Sequence, residues 1–205
     1  MKIKIIAPLM AYVTVAIGLF WARSAWVALL GFHVAILSSL FFAKPNIPLS
    51  FLLKTQDQKW VLLSILLCGS SGISLYFLWS YFGISDDLAA QLKSIGLTTS
   101  TWPIFIGYFV LVNPFVEEYF WRSFLANTIQ NISIYDAIYA GYHTLILIGK
   151  VHYASIVFVF ALLTVASWFW RQITQRDGGL LAPVLGHMAA DLTILLTVSW
   201  MSSYR

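Results

Sequence analysis

Long apolar runs alternate with short polar segments along this chain. A helix that crosses a membrane needs about 20 mostly apolar residues to span roughly 30 Å of hydrocarbon. Because irregular backbone in lipid leaves polar groups without partners, each such run is expected to be a helix. We therefore predict an all-α fold, a polytopic transmembrane bundle of about seven membrane-spanning helices. The predicted spans lie at about residues 5–21, 25–43, 60–82, 101–126, 134–149, 152–170 and 181–200.

A shorter helical pattern lies in the polar connection between the third and fourth runs. Ser85 suits an N-cap, and Gly96 suits the residue that follows a helix C-terminus. Between them, Leu88, Leu92 and Ile95 fall on one helical face. The pattern predicts a short interfacial helix, with an ordinary surface helix in a loop as the alternative.

The composition agrees with a membrane protein. Hydrophobic residues make up 60% of the 205 residues and charged residues only 10%, whereas soluble domains have about 45–50% and about 25%. Soluble globular and disordered classes are therefore excluded. The single cysteine, Cys68, excludes a disulfide framework and a thiolate zinc cluster. The net charge of +4 comes from scattered residues that form no basic patch, so we expect a lipid bilayer and no nucleic acid as partner.

The positive charges outside the predicted spans indicate an orientation. Cytoplasmic loops carry an excess of lysine and arginine. The N-terminal side of the bundle carries Lys2, Lys4, Lys44, Lys54, Lys59, Arg171 and Arg176. The opposite side carries Arg23, Lys93, Lys150 and Arg205. The N-terminus is therefore predicted to be cytoplasmic, and seven spans would place the C-terminus outside.

A few ionisable residues lie inside the predicted spans. A charge at the bilayer centre costs roughly 2.5–3.5 kcal/mol on insertion scales, so such residues usually face the bundle interior and have a function. Residues four apart share a helix face and can interact, as Glu118 can with Arg122 and His187 with Asp191. The fourth span carries Glu117, Glu118 and Arg122, the fifth carries His143, and the seventh carries His187 and Asp191.

Three of these groups are predicted to lie at a similar depth. With a rise of about 1.5 Å per residue, Glu117 and His143 lie roughly 13 Å from the N-terminal side of the bundle, and His187 roughly 9 Å. A carboxylate and two imidazoles at one level suit hydrolytic chemistry. The carboxylate can take a proton from water, while the imidazoles can share that proton or donate to an oxyanion.

Three ordered motifs carry a family resemblance. Residues 117–122, Glu-Glu-Tyr-Phe-Trp-Arg, match the EExxxR motif of the CPBP family, the CAAX-protease and bacteriocin-processing (Abi) family. Residues 139–143, Tyr-Ala-Gly-Tyr-His, resemble its FxxxH motif, with Tyr139 in the phenylalanine position. Residues 187–191, His-Met-Ala-Ala-Asp, resemble its HxxxN or HxxxD motif. The chain therefore resembles a CPBP-family membrane protein with one domain over 1–205 and a catalytic core at about 101–200.

The resemblance implies an intramembrane endopeptidase of the glutamic type that needs no metal cofactor. Glu117 would be the general base and His143 its partner in activating water. His187 and Asp191 would stabilise the oxyanion or orient the groups that do. Asp191 stands where the eukaryotic CAAX proteases have asparagine, and an ionised aspartate cannot donate a hydrogen bond. It could instead hold the tautomer of His187.

The same resemblance assigns supporting roles to three further residues. Glu118 and Arg122 would form a mainly architectural ion pair. Tyr139 would keep an aromatic ring in the position of the motif phenylalanine. Because the chain has so few polar loops, we expect the substrate to be a hydrophobic or lipidated protein segment that enters laterally from the bilayer. The small size suggests a multi-pass protein of a prokaryotic inner or plasma membrane.

Several alternatives remain open from the sequence. Glu117, His143 and His187 could form a His₂Glu zinc site with an open position for water, as in a zinc-dependent metalloprotease. A non-catalytic membrane scaffold or immunity protein could retain the motifs. Buried carboxylates also serve proton relays in transporters, but we find no repeated halves in this sequence.

Overall fold

The fold is described from a computed structural model, which covers residues 2–126 and 128–203. The described part is helical and contains no strand, as predicted. Eight α-helices follow one another, and several end in a short 3₁₀ or π turn. They are α1 (Lys2–Ala16), α2 (Ala25–Ala43), α3 (Gln58–Leu78), α4 (Leu88–Ser94), α5 (Trp102–Tyr119), α6 (Ile134–Thr144), α7 (Tyr153–Asp177) and α8 (Leu181–Ser203).

Five segments of the described chain are long and apolar enough to cross a membrane. They are Ile3–Trp21, Ala25–Ala43, Gln58–Phe82, Tyr153–Asp177 and Leu181–Ser203. The predicted count of about seven is therefore not confirmed, and the two remaining runs contain α5 and α6. At 11 residues, α6 is only about 16 Å long, and α5 carries two glutamates in its last turn. The cytoplasmic position of the N-terminus stays a prediction.

Large apolar side chains cover much of the bundle surface while the two motif glutamates are buried, which fits a multi-pass membrane protein. Val34, Phe77 and Val157 are each more than 60% exposed. In contrast, Glu117 and Glu118 are at most 1% exposed. In water this distribution would be strongly unfavourable, whereas in lipid the outer side chains meet an apolar solvent.

Glycines allow the close approach of α3 and α8, which pack along each other. A Cβ atom on Gly72 would lie 2.3 Å from the backbone oxygen of Thr193, and one on Gly186 would lie 2.8 Å from the Cβ of Ser64. Small residues at such crossings are typical of membrane helices, because they let the backbones approach. The Gly186 crossing also holds the turn of α8 that carries His187.

A buried ion pair fastens α6 to α7. Arg171 Nη2 lies 2.6 Å from Asp136 Oδ2, and Ser167 donates to Asp136 Oδ1 at 2.9 Å. Asp136 also completes the capping box with Ser133 that starts α6. Arg171 is therefore not a loop charge as the orientation count assumed, because it is buried within α7, which continues beyond the predicted end of the span to Asp177. Arg176 also lies in α7 but is exposed near its C-terminal end. The N-terminal side thereby retains six of its seven counted charges.

The short helix forms at the predicted place but with a different cap. Leu88, Leu92 and Ile95 are all buried in one apolar cluster, which confirms the predicted face. The N-cap position belongs to Asp87, and Ser85 instead contacts the Asp87 carboxylate. The helix thus packs its apolar face against the bundle.

Candidate active site

Three helices bring a carboxylate and two imidazoles together. Glu117 lies near the C-terminal end of α5, His143 near that of α6, and His187 in the second turn of α8. Each offers one ligand-type atom, and these atoms lie within 4.8 Å of one another. Glu117 and His187 are buried, whereas the His143 side chain is 24% exposed. The three side chains therefore meet, as the similar depth of Glu117, His143 and His187 in the predicted spans indicated.

Two uncharged donors hold the Glu117 carboxylate. Asn113, one turn earlier on α5, donates from Nδ2 to Oε1 at 2.7 Å. The Tyr142 hydroxyl donates to Oε2. His143 Nε2 lies 3.7 Å from the same Oε2, which is longer than a hydrogen bond. Glu117 is thus oriented on both oxygens without a direct bond to His143.

The backbone of α6 determines the tautomer of His143. Its Nδ1 lies 2.9 Å from the carbonyl oxygen of Tyr139. A carbonyl only accepts, so Nδ1 carries a hydrogen. In the neutral ring Nε2 is then unprotonated, and it faces the Tyr142 hydroxyl at 3.0 Å. The basic nitrogen of His143 therefore points to the side where Glu117 lies.

Glu118 connects the EExxxR motif to the third motif. Its Oε1 lies 2.8 Å from His187 Nδ1, and its Oε2 lies 3.4 Å from Arg122 Nε. The Arg122 guanidinium also lies over the ring of Tyr139, 4.2 Å from its centroid. The predicted pairing of Glu118 with Arg122 is present, but Glu118 also orients a histidine of the site. Glu118 therefore contacts both its predicted partner and a histidine of the third motif.

Asp191 lies on the far side of His187 from Glu118. Asp191 Oδ2 is 3.5 Å from His187 Nε2, and its side chain is 14% exposed. Glu118 makes the closer contact with His187, at Nδ1, so it contributes to holding the ring, and the role of Asp191 in the tautomer of His187 stays a prediction. Asp191 and His143 are the partly exposed members of the cluster.

Sequence reasoning missed a layer of polar residues behind Glu117. His33 on α2 places Nε2 3.1 Å from Asn113 Oδ1 and Nδ1 3.1 Å from the Tyr108 hydroxyl. Since the Asn113 amide nitrogen donates to Glu117, the Asn113 amide oxygen accepts from His33. The four-residue spacing of Asn113 and Glu117 could have indicated their contact. No sequence signal connects His33 or Tyr142 to the site.

The comparisons with known proteins agree with the motifs. A family model described as type II CAAX prenyl endopeptidase Rce1-like matches residues 99–193. No match was found among curated proteins or among solved structures. The matched segment contains α5, α6, α7 and all three motifs, so the resemblance to the CPBP family of CAAX proteases is confirmed.

Proposed function

We propose that this protein is an intramembrane endopeptidase that cleaves a hydrophobic or lipidated segment of a membrane-associated protein. The observation that carries the proposal is the convergence of Glu117, His143 and His187, with one ligand-type atom of each within 4.8 Å of the others. The family match supports a hydrolase and, within that class, a prenylated substrate. The apolar outer surface supports entry of the substrate from lipid.

In the proposed reaction Glu117 acts as general base. It takes a proton from a water molecule whose oxygen attacks the scissile carbonyl carbon. That proton passes from Glu117 to His143, which delivers it to the amide nitrogen, and the C–N bond breaks to give a carboxylic acid and an amine. Asn113 and Tyr142 support this role because they orient the carboxylate without neutralising it.

His187 is proposed to stabilise the oxyanion. Glu118 contacts its Nδ1 and Asp191 faces its Nε2, so carboxylates flank both ring nitrogens. Nearby negative charges favour a protonated imidazole, and a protonated ring can donate from Nε2 to the developing oxyanion. Trp170 stacks on the ring with centroids 5.4 Å apart and supports its orientation.

The Asp191→Asn variant tests this assignment. Asparagine has the same shape and adds an N–H donor, so we expect kcat within about tenfold of the original. Asp191→Ala removes the carboxylate beside His187 Nε2 and supplies no donor in its place, so it should lower kcat by about 10²-fold, within the range for one oxyanion donor. The measurement is kcat of both variants from steady-state kinetics. A larger loss for asparagine than for alanine would contradict an oxyanion role at this position.

A zinc-dependent protease is the second candidate, because one observation favours it. Glu117, His143 and His187 form a His₂Glu donor set of the kind found in catalytic zinc sites. Glu118 would orient His187 as outer carboxylates orient zinc-binding histidines. Bound zinc would lower the pKa of a coordinated water and polarise the scissile carbonyl.

Metal analysis separates the two candidates. For the glutamic mechanism, we expect purified active protein to contain less than stoichiometric zinc and to keep its activity after dialysis against a chelator. Elemental analysis and the cleavage assay are made on the same sample. Stoichiometric zinc that is lost together with activity, and restored with it, would establish the zinc mechanism instead.

A cleavage assay in liposomes tests the function itself. The substrate is a peptide that ends in a prenylated cysteine followed by three residues, and the control is the same peptide without the prenyl group. We expect release of the last three residues from the prenylated peptide only, detected by mass spectrometry. Equal cleavage of both peptides would contradict entry through lipid. No cleavage of either peptide by folded protein would favour a scaffold over an enzyme of this specificity.

A further inference from the structure

Tyr142 lies between the two groups that handle the proton. Its hydroxyl contacts Glu117 Oε2 on one side and His143 Nε2, at 3.0 Å, on the other. The two outer atoms are 3.7 Å apart, beyond the range of a direct hydrogen bond. Among the described residues, Tyr142 therefore provides a hydrogen-bonded route for a proton that passes between Glu117 and His143.

Aromatic packing holds the Tyr142 ring in this position. Trp121 stacks on one side with centroids 5.6 Å apart and planes inclined by 7°. Phe32 stacks with centroids 4.9 Å apart and planes inclined by 23°. The tyrosine is 6% exposed. Phe32 of α2 and Trp121 of the π turn after α5 thus fix the position of the ring and of its hydroxyl.

Proton counting shows that the chain of three groups must gain one proton, the one that Glu117 takes from water, before both contacts can be hydrogen bonds. Tyr142 supplies a single hydroxyl hydrogen, but two hydrogen bonds need two hydrogens. His143 cannot supply the second from a neutral ring, because its one hydrogen lies on Nδ1 and is donated to the Tyr139 carbonyl. Both contacts are hydrogen bonds only when Glu117 is protonated or His143 is an imidazolium.

We propose that Tyr142 is a proton relay between Glu117 and His143. In one form the Glu117 hydroxyl donates to the Tyr142 oxygen and Tyr142 donates to His143. In the other, His143 donates to Tyr142 and Tyr142 donates to Glu117. A concerted shift of two hydrogens converts the first form into the second, and net charge is conserved. The relay moves the proton taken from water to the imidazole that protonates the leaving amine, and it rests on the proposed function.

The test is Tyr142→Phe, which keeps the stacked ring and removes the hydroxyl. We expect kcat to fall by about 10–10²-fold with KM within about twofold, because substrate binding does not involve the hydroxyl. The solvent deuterium isotope effect on kcat should change as well. Its dependence on deuterium fraction should be curved in the original protein, where several hydrogens move together, and closer to linear in the variant.

The matched control is Tyr12→Phe. Tyr12 packs edge-on to Tyr142, and its hydroxyl donates to the backbone carbonyl of Ile138 on α6 at 2.6 Å. The substitution therefore removes a neighbouring hydroxyl that bonds to the helix backbone. We expect its isotope effect to match the original. If Tyr12→Phe alters kcat and the isotope effect as much as Tyr142→Phe, the effect is structural and the relay is wrong.

Two outcomes distinguish failure of the relay from failure of the proposed function. If Glu117→Gln is inactive while Tyr142→Phe keeps kcat within twofold and the same isotope effect, the relay is overturned and the function stands. If Glu117→Gln keeps its activity, the proposed function falls together with the relay. Thermal unfolding of each variant in detergent verifies that the compared proteins are folded.

Discussion

Replacement of Glu117 by glutamine should lower kcat for the prenylated peptide by about 10²–10⁴-fold, the range that general acid–base catalysis contributes. Glutamine has the same shape and keeps an oxygen that accepts from Asn113, so the bundle should remain folded. It cannot take a proton from water. The measurement is kcat in liposomes, with the thermal unfolding midpoint in detergent as the test of folding.

The matched control for this substitution is Asp86→Asn. Asp86 is exposed, so the control makes the same change from acid to amide far from the cluster. We expect no change in kcat for it. Glu117→Gln protein that is folded and cleaves as fast as the control would remove Glu117 from the mechanism and leave the convergence of the three motifs without a catalytic role.

The second large effect is a loss of protein stability when the ion pair of Glu118 and Arg122 is broken. Both residues are at most 3% exposed. Arg122→Met removes the guanidinium and leaves the buried Glu118 carboxylate without its ion-pair partner. This change should lower the free energy of unfolding by about 3–5 kcal/mol. The measurement is denaturant unfolding in detergent. An unchanged free energy of unfolding would show that the pair is not needed for the fold.

The double variant Glu118→Gln, Arg122→Met separates stability from catalysis. Replacement of a whole buried ion pair by uncharged residues of similar volume is often neutral or stabilising, so much of the lost stability should return. Activity should not return, because the 2.8 Å contact between His187 Nδ1 and a carboxylate is lost. A stable and fully active double variant would show that Glu118 does not act through His187.

Local sequence patterns predicted most of the helices for a simple reason. Length and hydrophobicity are properties of consecutive residues, and lipid requires every backbone group in an apolar run to bond within a helix. Five of the seven predicted spans are long and apolar enough to cross a membrane. The segments that contain α5 and α6 differ because buried polar groups and a short helix interrupt the apolar pattern there. Arg171 was counted as a loop charge because sequence alone does not reveal its partner Asp136 on another helix.

The sequence by itself determined the membrane class, the three motifs and the residues that meet in the cluster, because in a chain with so few charges each ionisable residue within an apolar run stands out. Only the tertiary structure decided which of these residues touch. Glu118 rather than Asp191 bonds to His187 Nδ1, and Tyr142 lies between Glu117 and His143. Such contacts depend on the rotation and depth of helices packed against one another, which hydrophobic periodicity leaves undefined to within several residues.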